Sequence, residues 1–345
     1  MEKILVVFTG GTIGSRKAEN DVINVDEAIG YSLIEALYNT SKANIAFDTI
    51  QPINILSENI LPAHWEALNN AIAEQDPEKY IGIIMTHGTD TLPYTTAVFS
   101  YLFNNIALPV VFVSSNQCIG HPNSNGVENF TAAVQFIMGA KLPGVFSVHK
   151  NSSNRMIVYL GTRLLEADRL EDQYSSFKNI DFGEMKNGCF IYNSQRGNPP
   201  LDEFVKVNQS FKVKKVSIKN KVACIRPYPG LDYAMFPLNE ARPSAILHLL
   251  YHSSTACIEP KENSLVEFAR MCRKQGIDLY LLDCRHYADS GIYLTGKEIM
   301  QTGIFPLTDI SYEAALAKLF VAYNQSALPP RAYMQKNIYH EYMKY

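Results

Sequence analysis

Short, uninterrupted apolar runs recur along this chain, with helix-length amphipathic stretches between them. The runs at 3–8, 44–50, 80–85, 109–114 and 144–148 read as strands. Amphipathic periodicity fills 26–39, 63–75, 93–104 and 126–139, with Val98, Tyr101 and Leu102 sharing one face. A strand that lacks polar alternation is buried on both faces, and helices between such strands cover both faces of a parallel sheet. The expected class is therefore α/β. Shorter β-rich segments follow at 156–159 and 188–192, and then a polar stretch at 193–207 centred on RGNPP. Beyond it the alternation resumes, with strands at 213–218, 222–226, 245–250 and 278–283 and helices at 263–275 and 311–323. This predicts a larger N-terminal, mainly parallel-sheet domain over 1–192, a linker over 193–212 and a smaller C-terminal α/β domain over 213–345.

Composition narrows the function. The length of 345 residues suits about two domains, and 47% hydrophobic with 19% charged residues excludes a disordered or fibrous chain. With 31 Lys and Arg against 34 Asp and Glu, no basic excess exists to neutralise phosphates, so no nucleic-acid partner is expected. No apolar run approaches the roughly 20 residues that cross a bilayer, so no membrane partner is expected. The first residues, MEKILVVFTGG, run from a short apolar stretch straight into glycines and read as a first strand, not a secretory signal. The six cysteines are scattered without a Cys-x-x-Cys pair, which suits free thiols and a cytoplasmic location. His248 and His252 lie four apart but have no third ligand nearby, so core histidines are expected there and no metal.

Two turns carry the chemistry. The first strand ends in Thr9-Gly10-Gly11-Thr12-Ile13-Gly14-Ser15, and the run at 80–85 ends in Thr86-His87-Gly88-Thr89-Asp90-Thr91. Both follow parallel strands and so belong at the carboxyl edge of the sheet, where open α/β folds bind ligands. Glycines beside small hydroxyl residues let backbone N–H groups approach a substrate closely. A lone hydroxyl is a weak nucleophile and needs a base or relay, for which Thr89 and Asp90 offer a second hydroxyl and a carboxylate. A phosphate loop is a poorer fit: position 9 is Thr, so GxGxxG fails, and no Walker lysine follows. A plain helix start, with Thr89, Asp90 or Thr91 as N-cap before Pro93, also accounts for the second turn taken alone.

Together the two turns resemble the bacterial L-asparaginase family. Thr9–Gly14 is similar to its TGGTIG/A signature, and Thr86–Leu92 to its THGTDTL/M signature. The likeness continues through Ser57-Glu58, Ser124-Asn125-Gly126-Val127-Glu128-Asn129, Tyr228-Pro229-Gly230 and Gly291-Ile292-Tyr293-Leu294-Thr295-Gly296. It is nearer the cytoplasmic, type I branch than the exported one. The resemblance implies a two-domain threonine amidohydrolase that turns L-asparagine into L-aspartate and ammonia without a cofactor. Thr12 would be the nucleophile, Thr89 the second catalytic hydroxyl, and Asp90 the group that holds the α-amino group and orients the relay. Ser57 would bind the α-carboxylate and Glu58 would help hold the zwitterion. Backbone N–H groups near Gly11, Thr12, Gly88 and Thr89 would face the developing oxyanion. Family members are homodimers or homotetramers, so the same is expected here, with a small amino-acid amide as the other partner.

Three positions depart from the family pattern. A tyrosine about ten residues after the nucleophile has no counterpart: Val22 stands there, and 14–30 contains no Tyr. The polar stretch 15–21 reads as a lid loop, in which Lys17 or Glu19 could substitute or simply be solvated. The family's relay lysine falls on Asp172, or on Glu171 with a one-residue shift, with Arg169 nearby; an acid beside Asp90 raises a pKa instead of activating a hydroxyl. Third, the turn after 245–250 reads His252-Ser253-Ser254-Thr255-Ala256, without the family's Asn. These departures leave an alternative open: a catalytically impaired or altered-substrate member that binds an amino acid. A related idea is a more cationic substrate drawn by Glu166, Asp168, Glu171 and Asp172, although a solvated surface also uses those charges.

Overall fold

The computed structural model describes residues 2–17, 23–25, 34–35, 45–168, 173–205, 212–284, 293–325 and 327–343. The strands are β1 (Glu2–Val7), β2 (Ser15–Lys17), β3 (Ile23–Val25), β4 (Ile45–Ile50), β5 (Gly82–Thr86), β6 (Pro109–Val113) and β7 (Gly144–Lys150). They continue as β8 (Met156–Leu160), β9 (Gly183–Lys186), β10 (Cys189–Tyr192), β11 (Val222–Ile225), β12 (Ala245–Leu249), β13 (Asp278–Leu282) and β14 (Phe305–Pro306). The chain divides into two compact units, one of residues 1–217 with 338–340, the other of 218–337 with 341–344.

The first unit is built on a sheet in the order β10-β9-β8-β7-β6-β5-β1-β4. Its half from β4 to β7 is parallel, and β8, β9 and β10 add antiparallel pairs. Every residue of β5 and β6 is buried, as are the last four of β1, which is why these runs lack polar alternation. The helices Pro62–Ala73, Leu92–Leu102 and Gly126–Ala140 lie where amphipathic periodicity puts them. The helix expected over 26–39 falls outside the described residues, apart from a helical turn at 34–35.

The second unit has a four-stranded parallel sheet in the order β11-β12-β13-β14. Its two longest helices begin where hydroxyls cap them: Ser264 accepts from Glu267 N before Leu265–Lys274, and Ser311 accepts from Ala314 N before Tyr312–Asn324. The turn after β12 closes through a Tyr251–Thr255 bridge, with Ser254 Oγ donating to Asp283 O at 2.8 Å.

Two local expectations are corrected. Residues 213–218 are not a strand; their backbone is bonded by side chains, Asn69 Nδ2 donating to Lys214 O (2.8 Å) and Asn70 pairing with both polar groups of Val216 (2.7 and 3.0 Å). Those bonds take the Lys214 carbonyl and both polar groups of Val216, one edge of the segment, away from any ladder. Within the stretch 15–21, residues 15–17 form β2, which pairs antiparallel with β3, and the remainder lies outside the described residues. The RGNPP stretch is tied down in the first unit, where Arg163 donates to Gly197 O (2.8 Å) and Tyr192 OH to Pro199 O (3.0 Å). The aromatic tail is docked as well: Tyr339 is 4% exposed, and its hydroxyl accepts Val145 N at 2.5 Å. All six cysteines are free thiols, and burial pushes those of Cys272 and Cys284 up to about 12.

Candidate active site

Topology alone singles out one crevice. From β1 the chain crosses to β4 on one side, then returns past β1 to lay down β5 on the other and β6 beyond it. The connections after β1 and β5 therefore leave in opposite directions, and the carboxyl ends of these two strands flank a switch point of the sheet. Both hydroxyl-glycine turns sit there.

The turns touch through their glycines. A Cβ placed on Gly11 would lie 2.3 Å from Gly88 N and 2.5 Å from Gly88 Cα, and Gly11 adopts φ +73°. A Cβ on Gly88 would lie 2.5 Å from Ser57 Oγ. Three loops thus meet at Gly11, Gly88 and Ser57, with Thr12, Thr89 and Glu58 each one residue further along its own loop. Hydrogen bonds fix the meeting. Thr9 Oγ1 donates to Thr86 O (2.7 Å), Gly11 N to Ile55 O (2.8 Å), and Thr91 Oγ1 to Ser57 O (2.8 Å). Ser57 is 5% exposed, Thr12 and Thr89 are half-buried, and Asp90 and Glu58 are exposed. The geometry suits a small polar ligand gripped by hydroxyls, backbone N–H groups and carboxylates.

Val22, Glu19, Arg169, Glu171 and Asp172, together with Gly291 and Ile292, fall outside the described residues, as does the side chain of Lys17. Among the described residues no group of three or more His, Cys, Asp or Glu side chains could hold a metal, and no helix is long and apolar enough to cross a membrane. Sequence reasoning missed the role of Thr91, which reads locally as a helix N-cap candidate but ties the second loop to the third. It also missed Tyr174, whose hydroxyl donates to Thr89 O at 2.8 Å. No local signal marks either contact, since each joins segments far apart in the chain.

His87 and His248 are both buried. In each ring Nδ1–H donates to a backbone carbonyl, Gly88 O at 2.8 Å and Leu249 O at 2.5 Å, which leaves Nε2 as an acceptor. His248 Nε2 accepts Tyr233 OH at 2.9 Å, whereas His87 Nε2 has no partner among the described residues. Desolvation pushes both histidines down to about 4. A histidine neutral in the fold and ordinary when unfolded makes the unfolded chain bind more protons between about 6.5 and about 4. Stability is therefore expected to fall as pH drops through that window, by at most about 1.4 kcal/mol per pH unit for each histidine. Urea midpoints at pH 7, 6 and 5 check this, and the fall is expected to be shallower in His248→Gln. An equal fall in the variant would remove His248 from the account.

Residues 3–193 match the family model for the N-terminal part of asparaginase, more than half of the chain. The chain belongs to the asparaginase family. The L-asparaginase of Thermococcus kodakarensis is 26% identical over 343 residues, covering 97% of this chain and 98% of that one. Its solved structure superposes with a TM-score of 0.80 at 24% identity, covering 99% of this chain and 100% of that one. L-asparaginase I of Vibrio cholerae also reaches a TM-score of 0.80, at 22% identity and 99% coverage of both chains. A glutamyl-tRNA(Gln) amidotransferase subunit of Pyrococcus abyssi is 23% identical over 332 residues, covering 92% of this chain and 71% of its own. The architecture is the asparaginase fold, a large mainly parallel-sheet unit and a smaller sheet-and-helix unit, and family membership supports an amidohydrolase.

Proposed function

We propose that this member of the asparaginase family hydrolyses L-asparagine to L-aspartate and ammonia through a threonine acyl-enzyme. Thr12 Oγ attacks the side-chain amide carbon, and its proton passes by way of Thr89 and Asp90 to the departing nitrogen. Ammonia leaves, and water attacks the resulting ester to free L-aspartate and restore Thr12. Ser57 binds the α-carboxylate, Asp90 the α-ammonium, and Glu58 steadies the zwitterion. Backbone N–H groups about Gly11, Thr12, Gly88 and Thr89 take the charge that develops on the amide oxygen. The observation that carries this reading is the meeting of Gly11, Gly88 and Ser57 at the sheet's switch point. It brings three loops bearing hydroxyls and carboxylates together at one edge of the sheet, which supports the reading. The same reading carries a cytoplasmic homodimer or homotetramer that needs no cofactor.

The test is ammonia release from L-asparagine, L-glutamine and D-asparagine. L-asparagine is expected to be the best of the three, and Thr12→Ala is expected to lower its rate by about 10²–10⁴-fold or more. Undiminished release in Thr12→Ala would overturn Thr12 as nucleophile. Saturable binding of L-asparagine without turnover in the wild type would favour an impaired, amino-acid-binding member. A second reading comes from the Pyrococcus abyssi relative, in which the amide hydrolysis would serve a tRNA-dependent amidotransferase with protein partners.

A further inference from the structure

We propose that Tyr174 is a positioning residue for Thr89, an inference that rests on the reading of Thr89 as a reacting group. The segment that carries Tyr174 folds back on its own chain. Leu164 bridges Ser176, while Leu165 N donates to Ser175 O and Asp168 N to Gln173 O, both at 3.0 Å. Tyr174 therefore stands on an arm, 173–176, that runs antiparallel to 164–168. What this arm delivers to the second catalytic loop is the Tyr174 hydroxyl, which donates to Thr89 O at 2.8 Å.

The ring is held from several sides. It is 2% exposed and meets the His149 ring edge-on, with centroids 4.8 Å apart at 89°. Its own carbonyl accepts Tyr159 OH at 3.3 Å and Gln173 Nε2 at 3.2 Å. His149 is itself fully buried, with Asn125, Asn129 and Ser114 each 3.3 Å from a ring nitrogen. A side chain packed in this way has one rotamer available, so its hydroxyl is a fixed donor. On one side of Thr89, Gly88 is held against Gly11 and Ser57 and by His87. On the other, Asp90 is exposed, so the Tyr174 hydroxyl supports the carbonyl that faces the exposed side. Fixing the Thr89 carbonyl fixes the peptide plane after it, and so holds the backbone from which the Thr89 side chain projects.

Tyr174→Phe deletes the hydroxyl and keeps the ring. Displacing a reacting group by about 1 Å costs about 10²-fold, so kcat for L-asparagine is expected to fall by about 10–100-fold. KM is expected to stay within about twofold, because Ser57 and Glu58 still grip the substrate. Tyr339→Phe is the control. It removes a buried hydroxyl of the same unit, one bonded to Val145 N, without touching Tyr174 or Thr89, and it is expected to keep kcat while lowering Tm to a similar degree. Wild-type turnover that Thr89→Ala abolishes secures the underlying reading. If the wild type releases no ammonia, that reading fails and takes this inference with it. If the wild type turns over and Tyr174→Phe matches it, the positioning role alone is overturned. Equal losses of kcat in the two Phe variants would mark a general packing effect and would also overturn it.

Discussion

Gly11→Ala is expected to abolish most amide hydrolysis while leaving a folded protein, and to do so without touching a hydroxyl or a carboxylate. The added methyl carbon would sit 2.3 Å from Gly88 N and 2.5 Å from Gly88 Cα. Ordinary carbon contacts lie at about 3.5–4.0 Å, so the first or second loop must retreat by more than about 1 Å. The obstacle is backbone, so no rotamer change can relieve it. Gly11 also adopts φ +73°, a conformation that costs an L-residue about 1–2 kcal/mol. Since a misplacement of about 1 Å between reacting groups costs about 10²-fold, the rate is expected to drop by at least that factor. Gly14→Ala is the matched control on the same loop: its methyl would meet nothing within 4 Å among the described residues, and it should leave rate and Tm near the wild type. Wild-type turnover in Gly11→Ala would show that close approach of the two loops is not needed for catalysis.

The glycines illustrate what a sequence can and cannot disclose. TGGT and HGTDT announce that backbone must come close to something, and the apolar runs before them announce which sheet edge they share. Neither says that the nearest neighbour of Gly11 is the other loop. That fact depends on β5 settling beside β1 with β4 on the far side, a long-range pairing that no local pattern encodes. The parallel strands were legible because burial on both faces leaves an uninterrupted apolar run. The helices at 265–274 and 312–324 were legible to within two residues because Ser264 and Ser311 cap them. The 213–218 stretch misled because its mixture of Lys and β-branched residues mimics a half-buried strand. Its backbone is satisfied instead by Asn69 and Asn70, well over a hundred residues earlier. Tyr174 was invisible for the same reason: its role lies in one hydrogen bond to Thr89 O, across 85 residues.

The second unit holds a buried ion pair whose disruption should cost more stability than any other single change considered. Lys318 on the helix Tyr312–Asn324 and Glu341 near the end of the chain are both fully buried, with Nζ 2.5 Å from Oε1. The ammonium also donates to Met334 O at 3.2 Å and Lys336 O at 2.5 Å, and it lies 4.4 Å from the centre of the Tyr342 ring. Burial pushes Lys318 down from its ordinary value, and Glu341 opposes that push. Every donor direction of the ammonium is thus occupied by residues of the 334–342 segment, so one side chain staples that segment to the helix. Glu341→Gln leaves the charge buried and uncompensated, and is expected to cost about 3–5 kcal/mol. That is a large part of the roughly 5–15 kcal/mol by which a folded protein is stable. Replacing both partners with apolar residues, Lys318→Met with Glu341→Leu, removes the stranded charge and should recover part of the loss. Full recovery is not expected, because the Lys336 carbonyl loses the ammonium as donor at about 1–3 kcal/mol, while Met334 O keeps the Tyr342 hydroxyl. Urea denaturation of the wild type, both single variants and the double variant measures the coupling directly. A single-variant loss below about 1 kcal/mol would place the pair among exposed, weakly contributing bridges and contradict its burial.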